Sequence, residues 1–334
     1  MTGKHIKVGV VGVGDFGRNH VRVWKELEGA DLVGVLDANA ERAQKVATEF
    51  GTVVLKDFDD LAARAQAVSL AVPTAQHSTI GCDLLEHGLD VLVEKPIAAS
   101  LEEADALLAA AKRHNRILQV GHLERFNPAV IAAEKIITRP LFFEIHRMGV
   151  FSPRSLDIDV VYDVMIHDLE ILLAFVRGPV TDLRAVGIPV LTDKVDIAHA
   201  RIEFETGAVA NLTASRVSTE RVRKMRFFQE HEYVSIDFTR QDVLRVQVDP
   251  PAARTPGAPL ELPMPRFETL GAGHEEPLRA ELRAFADSVR TRQTPRVDGV
   301  AGRRALELAD RVMAGILEHS RRVQLSTLAP QDTR

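Results

Sequence analysis

Lys95 is the residue around which chemistry can be organised. It follows the apolar run Val91-Leu92-Val93 in the tripeptide Glu94-Lys95-Pro96, and a lysine at the carboxyl end of a parallel strand stands where open α/β sheets bind their ligands. Its ammonium can hydrogen-bond a substrate oxygen, and Pro96 restricts the backbone on both sides of the peptide bond. The plain alternative is a solvated lysine at a strand end. A second constellation is Asp163 and His167, four residues apart in a run from Tyr162 to Glu170 that leads into the apolar Ile171 to Val176. That run reads as a helix, so the two side chains share one face. A carboxylate within reach of an imidazole fixes its tautomer and favours its protonated form, as a general base accepting a hydroxyl proton requires. The competing explanation is a surface ion pair worth about 0.2–0.5 kcal/mol. His167, Asp163 and Asp168 also carry ligand atoms for a metal, but no wider ligand pattern accompanies them, and no metal is assigned.

A third group is the turn Gly12-x-Gly14-x-x-Gly17, which contains Asp15 and Phe16. It lies between an apolar run, Ile6 to Val11, and a helical pattern from Arg18 to Leu27. Gly12 suits the tight turn, Gly14 the approach of backbone N–H groups to a pyrophosphate, and Gly17 the close packing of helix on strand. The helix N-terminus adds partial positive charge for the anion. A second strand, Asp31 to Leu36, ends at Asp37, where a carboxylate accepts from the adenosine ribose hydroxyls and repels a 2′-phosphate. The expected cofactor is therefore NAD. Pro73, Thr74 and His77 follow the strand Ala67 to Ala71 on the same sheet edge; His77 reads either as a cofactor contact or as a helix-surface histidine.

These groups need a scaffold. At 334 residues the chain suits two domains, and the formal net charge of −5 leaves no bulk basic field for nucleic acid or an anionic membrane. The single cysteine, Cys82, excludes an internal disulfide. No run of 18 apolar residues occurs anywhere, and a first strand starting by about Ile6 leaves no room for a signal peptide, so the expectation is a cytoplasmic protein. Parallel βα alternation runs to Gly121-His122, with a short strand at Val53-Val54, a helix capped by Asn39, another capped by Ser100 and Glu103, and a sixth strand at Ile117 to Val120. The reading is a Rossmann domain over 1–122 and an α+β domain over 123–334. The second domain opens with a helix around Asn127 to Ile137. Its strands fall at Leu141 to Arg147, Leu183 to Pro189, Val195 to Phe204, Val209 to Ser215, Lys224 to Phe228, Tyr233 to Asp237 and Val243 to Val248. They form a large, open, mainly antiparallel sheet. The proline-rich Pro250 to Pro265 reads as an extended loop, and helices at Glu276 to Arg290 and Ala301 to His319 close the chain.

Together, the glycine turn, Glu94-Lys95-Pro96 and Asp163-x-x-x-His167 resemble the Gfo/Idh/MocA oxidoreductase family, from Ile6 to about Val323. The resemblance implies NAD-dependent oxidation of a CH–OH group, with Lys95, Asp163 and His167 catalytic. It places Gly12, Gly14, Asp15, Phe16, Gly17, Asp37, Pro73, Thr74, His77, Glu94 and Lys95 at the cofactor. Three further stretches are similar to a subgroup whose members oxidise the 3-hydroxyl of UDP-N-acetylglucosamine: Gly121 to Pro128, Met165 to Asp168, and Ala214 to Ser218. This implies a nucleotide-sugar substrate met by Lys95, His122, Arg125, Asn127, Arg147, Asp163, His167 and Arg216. Alternatives are a dehydrogenase of a free sugar, inositol or diol, and a non-catalytic NAD-binding regulator. An open sheet face implies a homodimer or homotetramer through the second domain. Replacing Asp37 by Ser is expected to weaken NAD and relax the rejection of NADP; tighter binding of NADP than NAD by the unaltered protein would overturn this reading of Asp37.

Overall fold

Unbroken apolar runs, suited to strands covered on both faces, set the first sheet. The computed structural model describes residues 5–152, 158–249, 264–271 and 273–324. By internal contacts the chain divides into two units, Met1–Phe126 with Glu275–Glu307, and Asn127–His274 with Leu308–Arg334.

In the first unit, β1 (Ile6–Val11), α1 (Asp15–Glu26), β2 (Ala30–Leu36), α2 (Ala40–Phe50), α3 (Phe58–Arg64), β3 (Ala67–Leu70), α4 (His77–Glu86), β4 (Asp90–Glu94), α5 (Leu101–Arg113) and β5 (Leu118–Gly121) follow one another. The five strands are parallel in the order β2-β1-β3-β4-β5, and every residue of β3, β4 and β5 is buried. The strand order reverses at β1 and β3, whose carboxyl ends carry the glycine turn and Pro73-Thr74, the ligand position of such sheets. Asn39 caps α2 by accepting the Arg42 amide, and Gly51 ends it with a left-handed residue. Ser100 Oγ accepts the Glu103 amide as expected, while Glu103 reaches back to the amide of Ala99.

Two local expectations differ from the structure. Val53-Val54 forms only an isolated bridge, Val35 to Val54, because the chain turns at once into Asp57, whose carboxylate caps α3. The expected sixth strand is therefore β5, and α3 itself carries a single buried residue, Leu61, too little periodicity to see in advance.

The second unit begins with α6 (Pro128–Glu134), followed by β6 (Phe142–Val150), a π-helical turn Val161–Met165, α7 (Ile166–Phe175), β7 (Val180–Ile188), β8 (Ile197–Phe204), β9 (Val209–Ser218), β10 (Val222–Gln229), β11 (Glu232–Asp237), β12 (Asp242–Gln247) and β13 (Arg266–Gly271). These eight strands pair in the order β13-β12-β11-β10-β6-β9-β8-β7, antiparallel except β6 with β9. In the central strands burial alternates: Phe143, Ile145, Ala198, Ala200, Leu212, Met225 and Phe227 are buried, and their neighbours in sequence face outward. Phe227 lies tilted against Phe143 and edge-on to Phe175, which packs α7 on the inner face. β13 was not expected. Its side chains are mostly exposed, so pairing with β12 and not burial defines it. Most of the proline-rich segment Pro250 to Pro265 lies outside the described residues.

The last two helices, α8 (Pro277–Thr291) and α9 (Gly299–Arg322), were expected in the second domain. Residues 275–307 instead belong with the first unit. Leu278, Leu282, Phe285 and Ala286 of α8 join the core beneath α1, where Phe285 meets Trp24 edge-on at 6.4 Å. The Val120 amide donates to Val297 O at 3.0 Å, and Gln119 bridges Asp298, so the returning chain lines the β5 edge. An apolar helix face shows that a core exists but not which one it joins. The later part of α9 sits with the second unit, where Tyr162 donates its hydroxyl to Asp310 at 2.7 Å. No described helix is long and apolar enough to cross a membrane. Truncating Phe285 to Ala is expected to cost about 3–5 kcal/mol, read in a denaturant titration by the fluorescence of Trp24, the single tryptophan.

Candidate active site

Backbone proximity shapes the cofactor turn. Gly12 has φ of +83°, and a Cβ there would lie 2.5 Å from Ala71 O; a Cβ on Gly17 would lie 1.9 Å from Gly12 O. No larger residue fits either position. Around Gly14, by contrast, a Cβ would meet nothing within 4 Å, which leaves the approach that phosphates need. The first intrahelical bond of α1 runs from the Arg18 amide to Gly14 O, so the earlier amides are available to an anion. Asp15 is exposed beside them, and Phe16, 39% exposed, stands edge-on to His20. Asp37 Oδ2 accepts the Val13 amide at 2.7 Å, tying the end of β2 to the turn. These residues fit a dinucleotide.

Lys95 is held by its neighbours on the same sheet edge. The Glu94 carboxylate, 8% exposed, hydrogen-bonds His20 Nε2 at 3.1 Å and accepts the Lys95 amide at 3.3 Å. It occupies the space that the missing side chain of Gly121 leaves, since a Cβ there would sit 2.5 Å from Oε1. The Lys95-Pro96 peptide is cis. His77 is neither on the helix surface nor open to a ligand: it is 1% exposed, with Nδ1 2.9 Å from Pro96 O and Nε2 2.9 Å from Val72 O. Burial lowers its pKa against the pull of those two carbonyls and Glu94; the neutral ring donates to one of the two carbonyls, and only the protonated ring donates to both. His77 therefore braces the segment after Lys95 against the end of β3. Pro73 is exposed and Thr74 half-buried in a short 3₁₀ turn at the same edge.

In the second unit Asp163 lies within the π-helical turn, where the Ile166 amide donates to Val161 O, and His167 lies in the first turn of α7. Both are half-buried. One-turn π segments inside helices occur frequently at functional sites because the widened turn re-aims side chains. Sequence spacing alone gave a regular helix here.

The arginines expected at the substrate are mostly built into the framework. Arg147 forks onto Asp168 at 2.9 and 2.7 Å, and its guanidinium lies 4.7 Å from the centre of the Phe238 ring. Arg216 donates to Asp196 Oδ1 at 2.8 Å and to the carbonyls of Ile158 and Val195. Burial would raise the Asp196 carboxyl, but the amides of Leu191, Thr192 and Val190 together with Arg216 bring it below the usual carboxylate range. Asn127 accepts the Ala129 amide as a helix cap and donates to Phe238 O at 3.0 Å. Arg125 is 8% exposed.

The family model described as "Oxidoreductase family, NAD-binding Rossmann fold" (GFO_IDH_MocA) matches residues 6–122, and that of the GFO/IDH/MocA C-terminal domain matches residues 144–234. The chain belongs to the GFO/IDH/MocA oxidoreductase family. It is 37% identical to UDP-N-acetylglucosamine 3-dehydrogenase of Acidithiobacillus ferrooxidans over 93% of this chain and 97% of the relative. A solved structure of that enzyme superposes with a TM-score of 0.86 over the same shares of both chains. Scyllo-inositol 2-dehydrogenase (NAD(+)) of Bacillus subtilis is 30% identical over 64% of this chain and 68% of its own length.

Two residues of this GFO/IDH/MocA oxidoreductase escaped the sequence reading. His20 lies three residues beyond Gly17 on the buried face of α1, a position that reads as core. Arg42 pairs with Asp37 from the first turn of α2, and its only signal was a basic residue soon after an acidic strand end. His122 is buried, and burial followed by the charges of Lys95 and Arg125 lowers its pKa from 6.5 to about 3. The unfolded chain then binds this proton first as pH falls, so the stability is fully present above pH ~6.5 and declines below it. At pH 5 the loss is about 2 kcal/mol relative to pH 7. Urea titrations of the protein and of His122→Gln at both pH values should show that much less pH dependence in the variant; equal dependence would contradict the assignment.

Proposed function

We propose that this chain oxidises the 3-hydroxyl of UDP-N-acetylglucosamine to the ketone, a step towards the 3-amino sugars of lipid A or surface glycans. The supporting observation is 37% identity to an enzyme of that name across nearly the whole of both chains. Bound NAD supplies the hydride acceptor. His167 takes the hydroxyl proton, Asp163 orients its imidazole and stabilises the charged form, and the Lys95 ammonium stabilises the negative charge that builds on the substrate oxygen. Glu94, fixed by His20, holds the Lys95 backbone in place.

The diphosphate needs cations that are not already committed to the framework. Arg147 and Arg216 are engaged with Asp168 and Asp196, and Arg223 is the further cation that meets the diphosphate. It is exposed and lies directly opposite Arg147 across the β6–β10 ladder, on the same face. The outward face of the eight-stranded sheet carries a ring ladder, Phe142 to Phe228 to Tyr233, with centroids 5.7 and 5.0 Å apart. A second copy covering this face gives the homo-oligomer, and a cytoplasmic location suits a nucleotide-sugar substrate.

Lys95→Ala and His167→Ala are each expected to lower kcat on the order of 10²-fold or more while leaving NAD affinity nearly unchanged; near-normal turnover in either would remove that residue from the mechanism. Arg223→Ala is expected to raise KM for the nucleotide sugar on the order of tenfold. UDP should compete with it. Calorimetry showing no binding of UDP or UDP-N-acetylglucosamine to the NAD-loaded protein would exclude the nucleotide sugar, and scyllo-inositol turnover would then point to a cyclitol.

A further inference from the structure

Two segments at the carboxyl edge of the parallel sheet meet at one imidazole. His77 opens α4, a helix anchored by the buried Leu84 and Leu85, and its ring is closed to solvent. Nε2 lies 2.9 Å from Val72 O and Nδ1 2.9 Å from Pro96 O. Val72 follows β3 and stands against the glycine turn, since a Cβ on Gly12 would come within 2.8 Å of its Cγ1. Pro96 follows Lys95 and leads into Ile97 and Ala98, both fully buried. A neutral imidazole carries one N–H, so each tautomer holds one of the two carbonyls. With the hydrogen on Nε2 the ring holds the cofactor edge, and with the hydrogen on Nδ1 it holds the Lys95 segment.

We propose that His77 is a positioning residue serving both halves of the reaction, Nε2 fixing the end of β3 for NAD and Nδ1 fixing the segment that carries Lys95 for the substrate. It acts through these two carbonyls and touches neither ligand. An aliphatic side chain of similar bulk fills the same space but supplies no donor, and a buried carbonyl left without a donor is destabilised where it stands. The freed segment settles elsewhere, and a displacement of about 1 Å at a reacting group is enough to cost rate. The Lys95 half of the inference rests on the role proposed for Lys95; the cofactor half rests only on membership of an NAD-binding family.

Two amide variants separate the halves, because an asparagine amide nitrogen stands near the place of Nδ1 and a glutamine amide nitrogen near that of Nε2. In His77→Gln, kcat with UDP-N-acetylglucosamine should fall on the order of tenfold, while calorimetric affinity for NAD falls by less than about threefold. His77→Asn should show the reverse, weakening NAD by about three- to tenfold with a smaller loss of kcat. His77→Leu should lose both. Hydrogen exchange read by mass spectrometry needs no substrate, and it should quicken over residues 92–99 in His77→Gln and over residues 70–76 in His77→Asn. If the unaltered protein does not turn over this sugar, the proposed substrate fails, and exchange and calorimetry still decide the role of His77. Equal losses in the two amide variants would show a ring that only fills space. An amide variant matching the unaltered protein in every reading would show that only one carbonyl is held; either result overturns the proposal. Thermal midpoints by circular dichroism establish that the variants fold. Should they not, ring-nitrogen magnetic resonance of the unaltered protein decides instead: a proton shared between Nδ1 and Nε2 is expected, and a proton fixed on one of them overturns the proposal.

Discussion

Close approach of backbone to backbone at the carboxyl edge of the parallel sheet is the constraint on which the rest of the first unit depends. Gly17 must come so near Gly12 O that no side chain fits, and Gly121 must leave room for the Glu94 carboxylate. The first contact joins β1, α1 and the end of β3 into one anion-facing turn. The second lets a buried carboxylate hold both His20 and the Lys95 amide. A buried charge of this kind is tolerated because it is hydrogen-bonded, and it converts a strand end into a fixed platform for an ammonium.

Buried ion pairs organise the second unit in the same manner. Asp168 and Asp196 each hold an arginine that would otherwise be read as a ligand for phosphate. Breaking such a pair strands a charge in the interior, typically at a cost of about 3–5 kcal/mol, so these arginines are under structural demand whatever they do for the substrate. The exposed Arg223, opposite Arg147 across the ladder, is free of that demand as far as burial goes. Asp163 on the π-helical turn and His167 at the start of α7 are half-buried, whereas Asp168, next to His167, is buried and held by Arg147.

By itself the sequence determined the elements whose signal is local. Glycine spacing marked the dinucleotide turn, apolar runs marked the five parallel strands, caps at Asn39 and Ser100 marked helix starts, and a run of strand segments without crossover helices marked seven of the eight strands of the second sheet. The family was legible in Gly12, Gly14, Gly17, Lys95, Asp163 and His167, because each depends on residue type at a fixed position in the chain. Tertiary structure decided what depends on partners far away in sequence. The apolar face of α8 could not announce that it packs on Trp24, the exposed β13 exists only through β12, and His77 is buried only because Val72 and Pro96 converge on it. Whether Arg42, Arg147 and Arg216 face solvent or a carboxylate was likewise settled by folding, since a charged side chain carries no sequence mark of the partner that neutralises it.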